Sequence, residues 1–598
     1  MDHRSSFKCF QPHMRLPKLL PAILLILFTA IWFGNLEGRK LVDPDEGRYA
    51  EIGREMALSG DWVTPRLNDL KYFEKPPLQY WATAAAFRIF GEHHWTARWW
   101  PATTTFASVL LMFWAVRRLY GDEEIALSAA AALGGCSGFV VESHLNTLDA
   151  GLAAFLTIAL LSFLLAQRPG ATPTENRNGM LVVWAALALA VLSKGLIGLV
   201  LPGAVLAIYV LIERDWRLLT RLHLGKGLAL FLLITVPWFV AVSLANDEFA
   251  RFFFIHEHFA RFLTDVHHRK GAWWYFVPFL LFGAMPWTPF IAARLHEIWF
   301  ARFFFIVPIL LFRAMPWTSF IARLREGWRR EDPPGTLQIP RFLLVWTAFI
   351  FLFFSASHSK LPSYILPVFP ALALFAVVEM QRMAPATLSR FAWGLAAVGG
   401  AVLLVVLIGG ERIARAFSKE SSPLEIVRNY VPWIQASVFS FTAGAVAAAW
   451  LFRRYATRSG GIVMLAFGSL VAGILAVDGH DELSRLSSSY HIVREIEATP
   501  GLRDHRVPFY SIQMYDQTLP FYLKRPVTLV QYINEFALGL DAEPQKGIAR
   551  VADWKPRWVG LEQGYAMMNP ANYERFTQEG LPMRVLARDP RRVIVSRQ

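Results

Sequence analysis

The strongest constraint on this chain is the recurrence of apolar runs about twenty residues long, the length that crosses the hydrocarbon core of a bilayer as a helix. Such runs occur near 16–34, 99–116, 125–141, 149–166, 180–193, 196–212, 228–245 and 273–292. They resume at 341–356, 361–380, 388–410, 432–452 and 460–477. Hydrophobic residues are 55% of 598 and charged ones 18%, which suits a polytopic membrane protein and excludes a soluble enzyme of ordinary composition. About thirteen spans are expected. The net charge of +14 is carried by clusters at particular span ends and forms no nucleic-acid-like patch. Two cysteines, Cys9 and Cys136, indicate neither a disulfide framework nor a metal cluster.

The clusters set an orientation. Arg4, Lys8, Arg15 and Lys18 place the N-terminus in the cytoplasm, and the first apolar run reads as a retained span with no small-residue cleavage site behind it. Arg117-Arg118, the Arg214–Lys226 group, the Arg323–Arg330 group and Arg453, Arg454 and Arg458 then fall on the same inner side. The loops expected outside are short and polar (142–148) or of mixed charge (246–271). One region departs from the pattern: VPFLLFGAMPWTPFIA at 277–292 recurs as VPILLFRAMPWTSFIA at 307–322, a local duplication. The second copy reads as a surface-lying or re-entrant helix, because a full span there would invert everything after it. From about 481 the composition changes. VPFYSI (508–513), VTLV (527–530), RWVGLE (557–562) and RRVIVS (591–596) read as strands, with YDQTLPFYL (515–523) and PANYERFTQEG (570–580) as helices. That is a small α/β domain on the outer face.

Chemistry gathers on that face. In the loop 37–97, Asp43 before Pro44 reads as an N-cap with proline at the first helical position, followed by Asp45 and Glu46 in the first turn. Arg48 and Tyr49 follow at helical spacing from Asp45. Tyr72-Phe73-Glu74-Lys75-Pro76-Pro77 sets an acid and a base beside two prolines. The other outer segments add Asp149, Lys194 in SKG, His256-Glu257-His258 with Arg261, and His358, Lys360 and Tyr364 in SASHSKLPSY. Cations converging on one place suit a phosphate, and a carboxylate among them suits a base or an orienting group for a sugar. Simpler readings stand beside these. Asp45 and Glu46 complement a helix dipole, Lys194 snorkels, and the His-Glu-His run is loop surface. Glu142 and His144 read as solvated turn residues, and the pairs Trp99-Trp100 and Trp273-Trp274 as an interfacial belt. A transporter for a lipid-linked substrate is the competing class, but such folds repeat whole halves and hold charges at the midplane.

The stretch DPDEGRYAEIGREMALSGDWVTPRLNDLKYFEKPPLQYW resembles the first outer loop of the aminoarabinose transferases, which modify lipid A. LNTLDAGLAAF, SKGLIG, FIHEHFARF and SKLPSYILP extend the likeness over about 1–480. The family belongs to the polyprenyl-phosphate-dependent membrane glycosyltransferases of the GT-C type, alongside the protein O-mannosyltransferases. The resemblance implies an all-α transmembrane domain over 1–480 and a periplasmic α/β domain over 481–598. It makes Asp45 and Asp149 the catalytic carboxylates. Arg48, Lys75, Lys194 and Arg261 become phosphate-holding cations, and Tyr49, Tyr72 and Tyr364 line the lipid-phosphate end. Glu74 and His256 match positions able to hold a divalent metal ion, although no cofactor is required. It further implies an undecaprenyl-phosphate sugar donor, a lipid A acceptor, a monomer in the inner membrane, and resistance to cationic peptides such as polymyxin. The duplicated 293–322 segment is the departure from the family pattern.

Overall fold

In the computed structural model, residues 20–260, 271–295, 337–419, 422–455 and 457–597 are described. Helices dominate. Among the described residues nine are long and apolar enough to cross a membrane, including His94–Tyr120, Leu148–Gln167, Pro173–Lys194, Leu224–Ala245 and Pro385–Phe417. Glu123–Gly134 and Ser137–Ser143, bent by 61°, make a tenth if taken together. The first helix, Leu20–Phe33, and Ile197–Glu213 are shorter. The run expected at 273–292 is not one span: it is two eight-residue helices, Phe276–Gly283 and Thr288–Leu295. Met285-Pro286 lies between them, and proline supplies no N–H to continue a helix. Among the described residues the tally of thirteen therefore does not translate into thirteen full-length helices. The second copy of the duplicated motif lies outside the described residues.

Burial sorts the helices. Leu148–Gln167 is apolar around its whole circumference and almost wholly buried, so it is the axis of the bundle. Pro385–Phe417 and Leu224–Ala245 turn Val398, Val405, Ile408, Leu233 and Leu244 outward, the faces that lipid would cover. Small residues let helices close up: a Cβ on Gly444 would stand 2.6 Å from the Cα of Gly468 in the neighbouring helix. Following chain direction, Arg117, Arg118, Arg453 and Arg454 end their helices on the side opposite Asp149 and Lys194.

The C-terminal sheet has six strands in the order Gly547–Ile548, Thr528–Val530, Phe509–Ile512, Tyr565–Met568, Val593–Ser596, Arg584–Arg588. The first four run parallel and the last two join antiparallel. Three expected strands are present; RWVGLE is not one. It closes the helix Val551–Val559, because Trp554 and Trp558 recur at helical spacing and bury together against Tyr510. Alternation divides the sheet. Tyr510, Ile512, Ala566, Met568, Val593 and Val595 meet Trp554, Trp558 and Phe576, while Phe509, Leu529, Tyr565, Met567 and Ile594 share a core with Tyr49, Ala50, Ile52 and Met56 of the first loop. The α/β domain therefore sits on the loop that carries the charged motif.

Candidate active site

The first loop centres on the helix Asp45–Ser59, which ends where Gly60 adopts a left-handed conformation and its N–H reaches the Met56 carbonyl at 3.1 Å. Asp43 does not cap it. The helix starts one residue past Pro44, and the Asp43 carboxylate accepts from the Gln517 backbone N–H at 3.1 Å. Burial and the nearby Asp516 push the Asp43 carboxyl up to about 6. The two acids of the first turn divide their work. Glu46 points inward, where Arg98 donates from Nε at 2.7 Å and Nη2 at 2.8 Å, and the Asn146 N–H adds a contact at 3.1 Å. Burial opposes its charge, but the Arg98 guanidinium overrides that and draws the carboxyl down to about 2. Arg98 also donates to the carbonyls of Leu36, Arg39 and Lys40, tying the first loop to the start of His94–Tyr120. Sequence reading missed Arg98; the signal available was an arginine inside an apolar helix.

Asp45 faces the other way and is 39% exposed, with Arg48 Nη1 at 2.9 Å. Arg48 reaches Glu535 of the α/β domain at 3.4 Å, and Gln517 reaches the same carboxylate at 2.6 Å. Tyr49 and Tyr72 are buried beside Arg48, with Glu74 in the same electrostatic neighbourhood. Burial raises both phenols well above their ordinary value, so their hydroxyls stay protonated donors. Tyr49 lies 6.1 Å from the Tyr80 ring, and Lys75 donates to the Glu74 carbonyl at 2.7 Å.

A second cluster forms where two antiparallel helices end together. Asp149 lies in the first turn of Leu148–Gln167 and Lys194 is the last residue of Pro173–Lys194, stopped by Gly195. Each charge complements its own helix dipole, and the two form an ion pair. The turn Pro362–Val368 closes the cluster: Ser363 donates to Asp149 Oδ2 at 3.0 Å, and Lys194 Nζ lies 4.5 Å from the Tyr364 ring centre. Lys194 is not a snorkelling anchor.

Glu142 joins the clusters. Its charge neighbours are Asp149, Asp45 and Lys194, and its Oε2 is buried. The expectation of a solvated turn fails here, as it does for His144, whose ring nitrogens lie 2.7 and 2.8 Å from the carbonyls of Val140 and Trp32. Glu123–Gly134 and Ser137–Ser143 meet at a 61° bend just ahead of this segment, which the local polar composition does not reveal. Arg261 and the side chain of His256 lie outside the described residues. Among the described residues no group of three or more His, Cys, Asp or Glu is arranged to hold a metal ion.

Two acid–cation clusters at one end of an apolar bundle, with an α/β domain packed on the first loop, suit a membrane glycosyltransferase that uses a polyprenyl-phosphate sugar. The comparisons agree. Residues 19–253 match the family described as dolichyl-phosphate-mannose-protein mannosyltransferase, and residues 495–597 that of the aminoarabinose transferase C-terminal domain. The crystal structure of ArnT from Cupriavidus metallidurans bound to undecaprenyl phosphate is 34% identical, with a TM-score of 0.84 over 97% of this chain and 98% of that one. This chain belongs to the aminoarabinose transferase family. The undecaprenyl phosphate-α-4-amino-4-deoxy-L-arabinose arabinosyl transferase of Enterobacter sp. (strain 638) is 30% identical over 390 residues, 64% of each chain. Its namesake in Pseudomonas aeruginosa (strain PAO1) is 29% identical over 492 residues, 81% of this chain and 80% of that one.

Proposed function

We propose that this protein transfers 4-amino-4-deoxy-L-arabinose from undecaprenyl phosphate to a phosphate of lipid A, on the periplasmic face of the inner membrane. Adding an amine to an anionic glycolipid lowers its negative charge, and resistance to cationic peptides such as polymyxin would follow. The observation that carries the reading is the likeness, along nearly the whole chain, to a structure holding undecaprenyl phosphate.

The chemistry follows from charge. The bond between the sugar's anomeric carbon and the donor phosphate oxygen breaks, and its electron pair leaves with undecaprenyl phosphate. A phosphate oxygen of the acceptor forms the new bond to the same carbon. The acceptor is already ionised, so no base has to remove a proton. Lys75 and Lys194 stabilise the leaving phosphate, and Arg261 joins them in this reading. Tyr49, Tyr72 and Tyr364 flank the same end. Asp45, the more exposed carboxylate, orients the sugar and offsets positive charge developing on its ring. Asp149 acts through Lys194, holding the ammonium in place. Glu74 and His256 remain the pair to examine for a metal ion, on which no step here depends.

Asp45→Asn in the full chain, assayed with an undecaprenyl-phosphate aminosugar donor, should retain donor binding and lose transfer. Undiminished transfer refutes the role of Asp45. Mass spectrometry of lipid A from cells with and without the protein should show the aminosugar on phosphate only when it is present. An addition to protein hydroxyls instead would place the chain with the mannosyltransferase-like acceptors.

A further inference from the structure

Several carboxylates at this end of the bundle have a cation of their own. Asp45 has Arg48, Glu46 has Arg98, Glu51 has Arg54, and Asp149 has Lys194 with the Ser363 hydroxyl besides. Glu142 has none. Among the described residues it forms no ion pair, and its Oε2 is buried near the Thr147 hydroxyl. Two of its charge neighbours, Asp149 and Asp45, are carboxylates, and a third, Lys194, is engaged by Asp149. The Ser193 hydroxyl, next to Lys194 in the chain, is buried without a partner. Keeping a carboxyl ionised beside two others without a cation of its own is costly, and a ligand that brings the opposite charge would offset that cost. Glu142 has Asp45 of one cluster and Asp149 and Lys194 of the other as its charge neighbours, so it stands near the place where the sugar would lie if both clusters act on it.

We infer that Glu142 is the anionic anchor for the amino group of the donor sugar and sets the preference for an aminosugar over a neutral one. The inference rests on the function proposed above, since the donor there carries an amine at C4. A sugar amine is protonated near neutral pH and donates charge-assisted hydrogen bonds to a carboxylate. Phosphate-directed lysines would bind the other end of the same donor, so the sugar is held across the site by opposite charges at its two ends. Recognition of this kind discriminates well, because a donor lacking the charge leaves the buried carboxylate unpaired.

The test uses the full chain in lipid nanodiscs with two donors, the undecaprenyl-phosphate aminosugar and its N-formyl derivative, in which the charge is removed. Wild-type protein should favour the amine by on the order of 10- to 100-fold in kcat/KM. Glu142→Gln should lose that preference, chiefly through a higher KM for the amine, while transfer from the N-formyl donor is unchanged or improved. Glu142→Asp should keep part of the preference. Equal losses with both donors would show a merely structural role and overturn the assignment, as would an unaltered preference in Glu142→Gln. If Glu142→Gln fails to fold, the wild-type comparison still decides: equal use of the two donors overturns the proposal, and a preference that narrows in Glu142→Asp supports it. Transfer by wild type from neither donor would instead sink the proposed function.

Discussion

Replacing Glu46 by Gln removes one half of the buried pair that anchors the first loop to the bundle. The carboxyl is drawn from its ordinary 4.5 to about 2 by its surroundings. At 1.36 kcal/mol per pH decade, that favours the ionised form in the folded protein by about 3 kcal/mol. Deleting one partner of a buried pair costs a similar amount, roughly 3–5 kcal/mol, because the other charge is stranded. Arg98 would be the stranded charge, wholly buried with only backbone carbonyls left to accept from it. The folded value lies below the unfolded one, so this stability is fully present above pH 4.5 and is lost as pH falls from there through about 2. Urea unfolding of the full chain in detergent micelles, followed by tryptophan fluorescence at pH 7, should show Glu46→Gln and Arg98→Met each less stable by about 3 kcal/mol. The double variant should lose much less than the sum, since neither charge is then left alone. Single losses below about 1 kcal/mol, or strictly additive ones, would refute the view that this pair holds the loop.

Further outcomes follow from other contacts. Gly47→Val should loosen the α/β domain from the first loop, since even a Cβ there would stand 2.6 Å from Thr518 Cγ2; faster proteolytic release of the C-terminal fragment checks it. Trp558→Ala should cost the α/β domain roughly 3–5 kcal/mol, read from chemical unfolding, because the ring is fully buried with Trp554 and Tyr510. Lys194→Met should lower transfer on the order of 100-fold, with Asp149→Asn less severe and the two effects strongly non-additive in kcat, because the pair works as a unit. An additive result would separate Asp149 from Lys194.

The site was legible where chemistry and local spacing coincide. Asp45 and Arg48 are one helical turn apart and pair; SKG and LNTLDAG end and begin helices, which brings their charges to the same side once the helices run antiparallel. SKLPSY was legible as a motif, and Ser363 within it makes the contact to Asp149. What escaped depends on direction in space. Composition does not distinguish Glu46, turned into the bundle, from Asp45, turned to the open side. Glu142 looked like a solvated turn residue because the bend that buries it lies several residues upstream. RWVGLE looked like a strand because an apolar run this short carries either period, and only the packing of Trp554 and Trp558 on the sheet decides between them.

The sequence by itself determined that the chain is a membrane-spanning helical bundle, because each apolar run must satisfy its own backbone hydrogen bonds in lipid. It also determined that charge gathers at the span ends, because ionised side chains are excluded from the hydrocarbon. Tertiary structure alone decided which of those charges cancel one another and which stay available. Ion pairing depends on distances of a few ångströms between segments tens to hundreds of residues apart, such as Arg98 with Glu46, Lys194 with Asp149 and Arg48 with Glu535.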